Sequence, residues 1–269
     1  MERQGRVAIV TGGGRGLGRA MALGLSRAGF RVAVTAARRS DEIAAVVREA
    51  PQGRICPVMA DVSSESACAS LIQEVEARLG PVDVLVNNAG RGMRYVSERF
   101  LSEPSRFWEA DPATWRMIIE TNVNGPFFMS RAVTPGMIGR GWGRIINISM
   151  NHETMRWRGF SPYGPSKAAL ESATIIWAQD LAGTGTTVNA LLPGGASLTG
   201  MIPDDVSPEL RQKLISPEIM VPPLLWLVSD SADGFSGNRL DASRWDTKLN
   251  PNAAAAIACE PAGWCAYQR

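Results

Sequence analysis

Histidine occurs once, at His152, and the four cysteines (Cys56, Cys68, Cys259, Cys265) are scattered without a C-x-x-C pair. The usual ligands of a zinc or iron–sulfur centre are therefore missing, so no metal is expected and the thiols are expected to be reduced. No apolar run approaches the ~20 residues needed to cross a bilayer, which argues against a membrane partner. There is no dense basic tract and the formal net charge is +2, which argues against a nucleic-acid partner. No Pro/Ser-rich linker or charge run divides the 269 residues, so one large α/β domain is expected rather than two. Met1–Arg6 run straight into a strand pattern and leave no room for a signal peptide, so a cytoplasmic protein is expected.

What is present, at 45% hydrophobic and 20% charged, is an ordinary globular composition organised around its opening stretch. Val7-Ala8-Ile9-Val10 reads as a short buried strand, broken by Gly12-Gly13-Gly14. From Gly16 an apolar pattern (Leu17, Met21, Leu25, Ala28) recurs at helical spacing. Strand, glycine turn and helix N-terminus together form an anion site, where unpaired N–H groups and missing β-carbons admit a pyrophosphate. The glycines fall as Gly12, Gly16 and Gly18 rather than as the generic dinucleotide G-x-G-x-x-G.

Further strands are expected at 31–35, 55–60, 82–87, 144–149 and 186–191, with helices at 41–50, 64–79, 112–138 and 162–182. Apolar strands separated by crossover helices imply a doubly wound parallel sheet with helices on both faces. Ligands then sit at the carboxyl ends of the strands. After the second strand, Ala36 stands where an acidic residue would bind the adenosine ribose. Arg38, with Arg15 from the glycine loop, offers cationic forks suited to a 2′-phosphate, which favours NADP over NAD. Asp61-Val62 follows the third strand, and its carboxylate can accept an adenine amino proton. Asn87-Asn88-Ala89-Gly90 follows the fourth as a polar turn able to pin backbone against a cofactor; ordinary turn chemistry is the other reading of both. In the long helix Pro126 deprives the Asn122 carbonyl of its partner, so the helix bends there, either to hold a water for proton transfer or as a plain kink.

Ser161-Pro162-Tyr163 opens the next helix, with Ser161 as N-cap and Pro162 as first helical residue. Tyr163 and Lys167, four apart, share a face. An ammonium beside a phenol lowers its pKa from about 10, giving a group able to exchange a proton during carbonyl reduction.

Over about residues 5 to 240 the chain resembles the short-chain dehydrogenase/reductase family. Thr11-Gly12-x-x-x-Gly16-x-Gly18, Asp61, Asn87-Asn88-Ala89-Gly90, Asn122, Tyr163-x-x-x-Lys167 and Pro193-Gly194 match that family's motifs in order. The resemblance implies a single Rossmann-type domain over 1–242 and a homotetramer or homodimer. It implies Tyr163 as general acid/base, with Lys167 gripping the nicotinamide ribose and lowering the Tyr163 pKa. Asn122 would hold the relay water, and Pro193-Gly194 would border the nicotinamide carboxamide. The family's catalytic serine is displaced, because Met150 stands thirteen residues before Tyr163. Ser149 is adjacent, but successive strand residues point to opposite faces. Either the register slips so that Ser149 serves, or Asn151 or His152 assists Tyr163, or the substrate needs no second donor. An iminium carbon carries no oxygen to stabilise and would tolerate Met150.

Residues 91–111 form an extended loop carrying Arg91, Arg94, Tyr95, Arg99, Phe100, Arg106, Phe107 and Trp108. It reads either as a decorated surface loop or as a lid that adds aromatic surface and attracts anions. Met150, His152 and Trp157 are candidate substrate contacts, 197–223 a flap with Thr199 on the cofactor amide, and 243–269 a tail packing on its own or a neighbouring subunit. The reading is an NADP(H)-dependent oxidoreductase moving hydride to a C=O or C=N carbon of a small, largely apolar substrate. Its rivals are an NAD-linked alcohol dehydrogenase and a catalytically weak cofactor-binding sensor.

Overall fold

The computed structural model describes residues 5–204 and 206–263, so Trp264 and Cys265 of the expected tail lie outside the described residues. The strands are β1 (Val7–Val10), β2 (Arg31–Ala36), β3 (Ile55–Met59), β4 (Val82–Asn87), β5 (Gly143–Ile148), β6 (Thr186–Leu192), β7 (Asn238–Asp241) and β8 (Cys259–Pro261). They form one eight-stranded sheet in the order β3-β2-β1-β4-β5-β6-β7-β8. Every pairing is parallel except that of β8 with β7. The helices are α1 (Gly16–Arg27), α2 (Ser40–Glu49), α3 (Glu65–Leu79), α4 (Pro112–Ile119), α5 (Gly125–Arg140), α6 (His152–Met155), α7 (Tyr163–Asp180), α8 (Pro208–Gln212), α9 (Val221–Leu227) and α10 (Pro251–Ala258).

β1 is buried along its whole length because both sheet faces are covered. Ala8 and Val10 enter the core under α1, α2, α9 and α10, whereas Val7 and Ile9 enter the one under α3 and α5. Fully burying each Val, Leu or Ile is worth about 1.5–3 kcal/mol, so a one-residue slip would set every side chain against the wrong layer. Local chemistry starts several helices where the chain leaves the sheet. Ser64 accepts from the Ala67 N–H at α3, Asp111 from the Thr114 N–H at α4, and Asn250 from the Ala253 N–H at α10.

The long helix expected at 112–138 is interrupted. Between α4 and α5, Glu120–Asn124 form a π-helical turn, in which the Gly125 N–H reaches back to the Glu120 carbonyl. Pro126 cannot donate, so the wider turn absorbs the mismatch that sequence reading expected as a bend. Two strands went unanticipated. β7 extends the parallel sheet beside β6, and β8 folds back antiparallel on it. Ahead of β8, α10 packs on α9 with Ala254, Ala255 and Ala258 buried. Among the described residues no helix is long and apolar enough to cross a membrane.

From β1 the chain steps outward to β2 and β3, then returns and steps the other way from β4 to β7. The strand order therefore reverses between β1 and β4, and at such a switch point the crevice beyond the strand ends takes a ligand.

Candidate active site

Two turns meet at that crevice. The Asn88 side-chain amide donates to the carbonyls of Thr11 (2.8 Å) and Gly12 (3.0 Å), and the Thr11 hydroxyl accepts from the N–H groups of Asn88 and Ala89 (both 3.0 Å). Gly12 has φ +61°, and a β-carbon there would lie 3.0 Å from the Ala89 α-carbon, so the seam tolerates no side chain. α1 begins at Gly16 with no side-chain cap and no acidic residue in its first turn. Its first N–H groups and positive dipole end face the crevice, which fits a pyrophosphate.

On the β2 side, Ala36 ends the strand. Arg15 is exposed and 3.6 Å from Glu42, while Arg39 forks onto Asp41 and also lies 3.6 Å from Glu42. Arg38 is exposed. Asp61 accepts the Ser63 N–H (3.0 Å) and hydroxyl (2.7 Å), and its second oxygen lies 3.9 Å from Arg91. Burial raises this carboxyl, but the Ser63 bonds and the charges of Arg91 and Arg38 outweigh it and hold Asp61 below its ordinary value.

Tyr163 is the first residue of α7 and Lys167 stands one turn further on. The Lys167 Nζ lies 5.8 Å from the centre of the Tyr163 ring and donates to the Ile148 carbonyl at 2.7 Å. Asn122, in the π turn, donates to the Ser166 hydroxyl (2.9 Å) and the Arg91 carbonyl (3.0 Å) and accepts the Arg91 N–H (2.8 Å). A β-carbon on Gly90 would lie 3.3 Å from Asn122 Oδ1 and 3.8 Å from Lys167 Nζ, so this turn joins the glycine loop to α7. Desolvation pushes the Tyr163 phenol up to about 12. It pushes Lys167 down to about 8, with Glu171 pulling the other way.

Behind this end of α7 lies a buried polar cluster. The Ser149 hydroxyl donates to Glu171, which also accepts from Arg239 Nε (3.2 Å) and the Gly263 N–H (2.9 Å). Arg239 donates to Glu260 (2.8 Å) and the Met150 carbonyl (2.7 Å) and lies 3.2 Å from His152 Nδ1.

In front of α7, Met150, Val96 and Tyr163 pack against Met93, Phe100 and Phe160. Trp157 meets Phe160 edge-on at 5.8 Å with more than half its surface exposed. The extended loop is fastened to the flap by Arg94, which reaches the carbonyls of Gly200 (3.2 Å) and Ile202 (3.1 Å) and the Asp204 carboxylate (3.1 Å). Met201 of that flap places its sulfur 4.0 Å from the Tyr163 hydroxyl. Thr199 stands against Gly16. At Gly194, φ is +85° and a β-carbon would collide with the Ser243 hydroxyl and the Asp241 carboxylate, so the Pro193-Gly194 turn lies flat on the end of β7.

The pattern that defines the family described as short chain dehydrogenase matches residues 6–209. The chain belongs to the short-chain dehydrogenase family. It is 36% identical over 249 residues to an acetoacetyl-CoA reductase of Shinella zoogloeoides, covering 88% of this chain and 97% of that protein. It is 33% identical over 211 residues to a 3-oxoacyl-acyl-carrier-protein reductase of Staphylococcus epidermidis, covering 77% and 82%. A metagenomic short-chain oxidoreductase solved in complex with NADP superposes with a TM-score of 0.70 at 30% identity, covering 84% and 91%.

Of the residues expected at the site, Gly12 and Gly18 meet Asn88 and Ala89 at the crevice, Thr199 stands against Gly16, and Gly90 lies beside Asn122 and Lys167, while Arg38, Asp61 and Val62 follow β2 and β3 and Pro193-Gly194 follows β6. Several expectations need correction. Ser149 does not turn toward Tyr163, because its hydroxyl is held by Glu171 inside the protein. His152, at the start of α6, lies 3.2 Å from Arg239 and 3.9 Å from Glu171, beside the buried polar cluster. Desolvation, and not the Lys167 ammonium 5.8 Å from the ring and bonded to the Ile148 carbonyl, sets the direction of the Tyr163 shift, which is upward. Ser161 does not cap α7, which opens at Tyr163 without a side-chain cap. Arg94 and Arg99 of the extended loop are paired with Glu98 and Glu103, which reduces the anion attraction expected there.

Glu171, Arg239, Met201 and Glu42 were not foreseen. Glu171 had a readable signal, since Tyr163, Lys167 and Glu171 recur every four residues on one helix face. The others arrive from distant sequence and carried none.

Proposed function

We propose that this short-chain dehydrogenase uses NADP(H) to reduce a ketone carbonyl of a small, largely apolar substrate, with Tyr163 giving the proton. The observation that carries the reading is the pairing of Tyr163 and Lys167 on adjacent turns of α7, joined through Gly90 to an uncapped glycine-loop helix. The dinucleotide's pyrophosphate would rest on Gly12, Arg15, Gly16, Leu17 and Gly18. Asp61 and Val62 would take the adenine, with Asn88, Ala89 and Gly90 along the chain of the cofactor. Ala36 leaves room beside Arg15 and Arg38 for a 2′-phosphate, and the neighbouring oxidoreductase solved with NADP supports that choice. Pro193, Gly194 and Thr199 would line the carboxamide.

When bound, the nicotinamide supplies the hydride. The protein supplies everything else. Tyr163 holds its proton throughout the neutral range, so it serves as the acid in the reducing direction. Lys167, charged below about pH 8, favours the phenolate left behind on Tyr163 Oη. Asn122 ties the Arg91 backbone to Ser166 and keeps the π turn open beside Lys167. Met201 has to yield its place beside the Tyr163 hydroxyl to the substrate oxygen.

The relatives named for acetoacetyl-CoA and 3-oxoacyl groups support a β-keto acyl group, small and largely apolar even when carried on a thioester, as the first part to try in the pocket. A second reading, reduction of a C=N bond, is favoured by the commitment of the Ser149 hydroxyl to Glu171. That commitment removes one oxygen-directed donor, which an iminium carbon does not need. NADPH oxidation with acetoacetyl-CoA and with a cyclic-imine panel tests both. Turnover of the ketone supports the first reading, turnover of imines alone supports the second, and turnover of neither contradicts both. A homotetramer or homodimer is proposed for the assembly, to be checked by light scattering.

A further inference from the structure

Arg239 joins four separate stretches of chain at one guanidinium. It donates to the Met150 carbonyl beyond β5, to Glu171 of α7 and to Glu260 of β8, and it stands beside His152 of α6. Arg239 is 3% exposed and Glu171 1%. Glu260 is its register partner across the antiparallel β7–β8 pair. The ladder of β5 ends close by, with the Ser149 N–H on the Leu191 carbonyl. Past that point the Met150 carbonyl is held by Arg239, and Met150 itself packs with Tyr163 on the Met93–Phe100–Phe160 cluster. A planar fork can satisfy acceptors in these several directions, whereas a lysine ammonium would act as a point charge and give up some of them.

We propose that Arg239 is the positioning residue for the wall of the substrate pocket, fastening Met150 and the following turn to the C-terminal strand β8. The C-terminal strand is then part of the machinery that sets substrate fit, although it does not touch the reacting groups. Glu171 shares the task. It neutralises the buried guanidinium, holds the Ser149 hydroxyl away from the pocket, and takes the Gly263 N–H from the segment after β8.

The test uses the full chain with Glu260→Gln and Arg239→Lys. Arg158 sits exposed in the turn between α6 and α7, and Arg39 sits exposed across the sheet at α2, so trypsin reads the two regions separately. Weakening the charge-assisted bond in Glu260→Gln, or losing one of the guanidinium's bonds in Arg239→Lys, is expected to speed cleavage after Arg158 by up to roughly tenfold, with cleavage after Arg39 unchanged. Equal acceleration at both sites, or none after Arg158 in a folded variant, overturns the proposal. Should Arg239→Lys fail to fold, Glu260→Gln decides alone, because Glu260 is partly exposed and lies in the last described strand. The kinetic arm rests on the carbonyl-reductase reading: KM for acetoacetyl-CoA should rise while the NADPH Kd, measured by nucleotide fluorescence, stays put. A change in NADPH Kd with unchanged KM overturns it. If the parent protein reduces no carbonyl, that reading fails, and proteolysis, which needs no substrate, still decides the proposal.

Discussion

The Ser149 hydroxyl donates to the carboxylate of Glu171, about two turns of α7 beyond Tyr163. The neighbouring Met150, by contrast, packs on the same apolar cluster as the Tyr163 ring. One strand end thus separates a donor from the place where a carbonyl oxygen needs it. Ser149→Ala should therefore lower kcat less than about threefold, where removal of a true oxyanion donor costs on the order of a hundredfold to a thousandfold. Met150→Ser should raise kcat/KM for ketones at least about tenfold while leaving imines unaffected. Steady-state kinetics on both variants checks the pair, and a hundredfold loss in Ser149→Ala would contradict it.

The two central titrating groups are shifted in opposite senses, Tyr163 up to about 12 and Lys167 down to about 8. The free enzyme should then lose kcat/KM for NADPH as pH rises through about 8, because Lys167 loses its charge while Tyr163 keeps its proton. A profile of kcat/KM against pH locates the limb. A flat profile up to the Tyr163 range would contradict the assignment.

The same shift has a consequence for stability. The folded Lys167 binds its proton less tightly than the unfolded value of 10.5. Below about pH 8 the folded state therefore carries the full cost of the buried charge, roughly 3 kcal/mol. The cost fades as pH rises toward 10.5. Denaturant titrations should show stability increasing from pH 8 to pH 10; above that, the raised Tyr163 pKa works in the opposite direction. Lys167→Met should abolish the increase and be more stable than the parent at neutral pH, though inactive. Equal pH dependence in parent and variant would refute this.

On the adenosine side, Glu42 faces both Arg15 and Arg39 and competes for them with an incoming phosphate. Arg38→Ala should weaken NADPH roughly tenfold and leave NADH unchanged, while Glu42→Gln should tighten NADPH. Kd values for the two nucleotides, at low and high salt, check it. Parallel changes for NADPH and NADH would argue against a 2′-phosphate site.

β1 to β6 were legible because each is an apolar run bounded by turn residues or helical patterns, a signal carried within the segment itself. β7 and β8 were not. β7 is short and polar, Asn238-Arg239-Leu240-Asp241, and Arg239 is buried only because Glu171 and Glu260 come to meet it from elsewhere. α9 opens Val221-Pro222-Pro223, which reads as a breaker even though proline is tolerated in a first turn. At the site, the spacing put Tyr163 and Lys167 on one face of a helix, Asn122 at an irregularity in a helix and the glycine loop at the start of another, as α7, the π turn and α1 have them. The fate of Ser149 could not, because Glu171 sits two turns away along the helix and its pull on the hydroxyl is a property of the packed interior.

The most direct test of the account is Tyr163→Phe, which removes one oxygen from the α7 face and nothing else. NADPH should bind the variant within about threefold of the parent, while kcat for acetoacetyl-CoA or any accepted ketone falls at least a hundredfold, the lower end for loss of a positioned proton donor. Retention of more than about a tenth of the parent kcat would mean that another group delivers the proton.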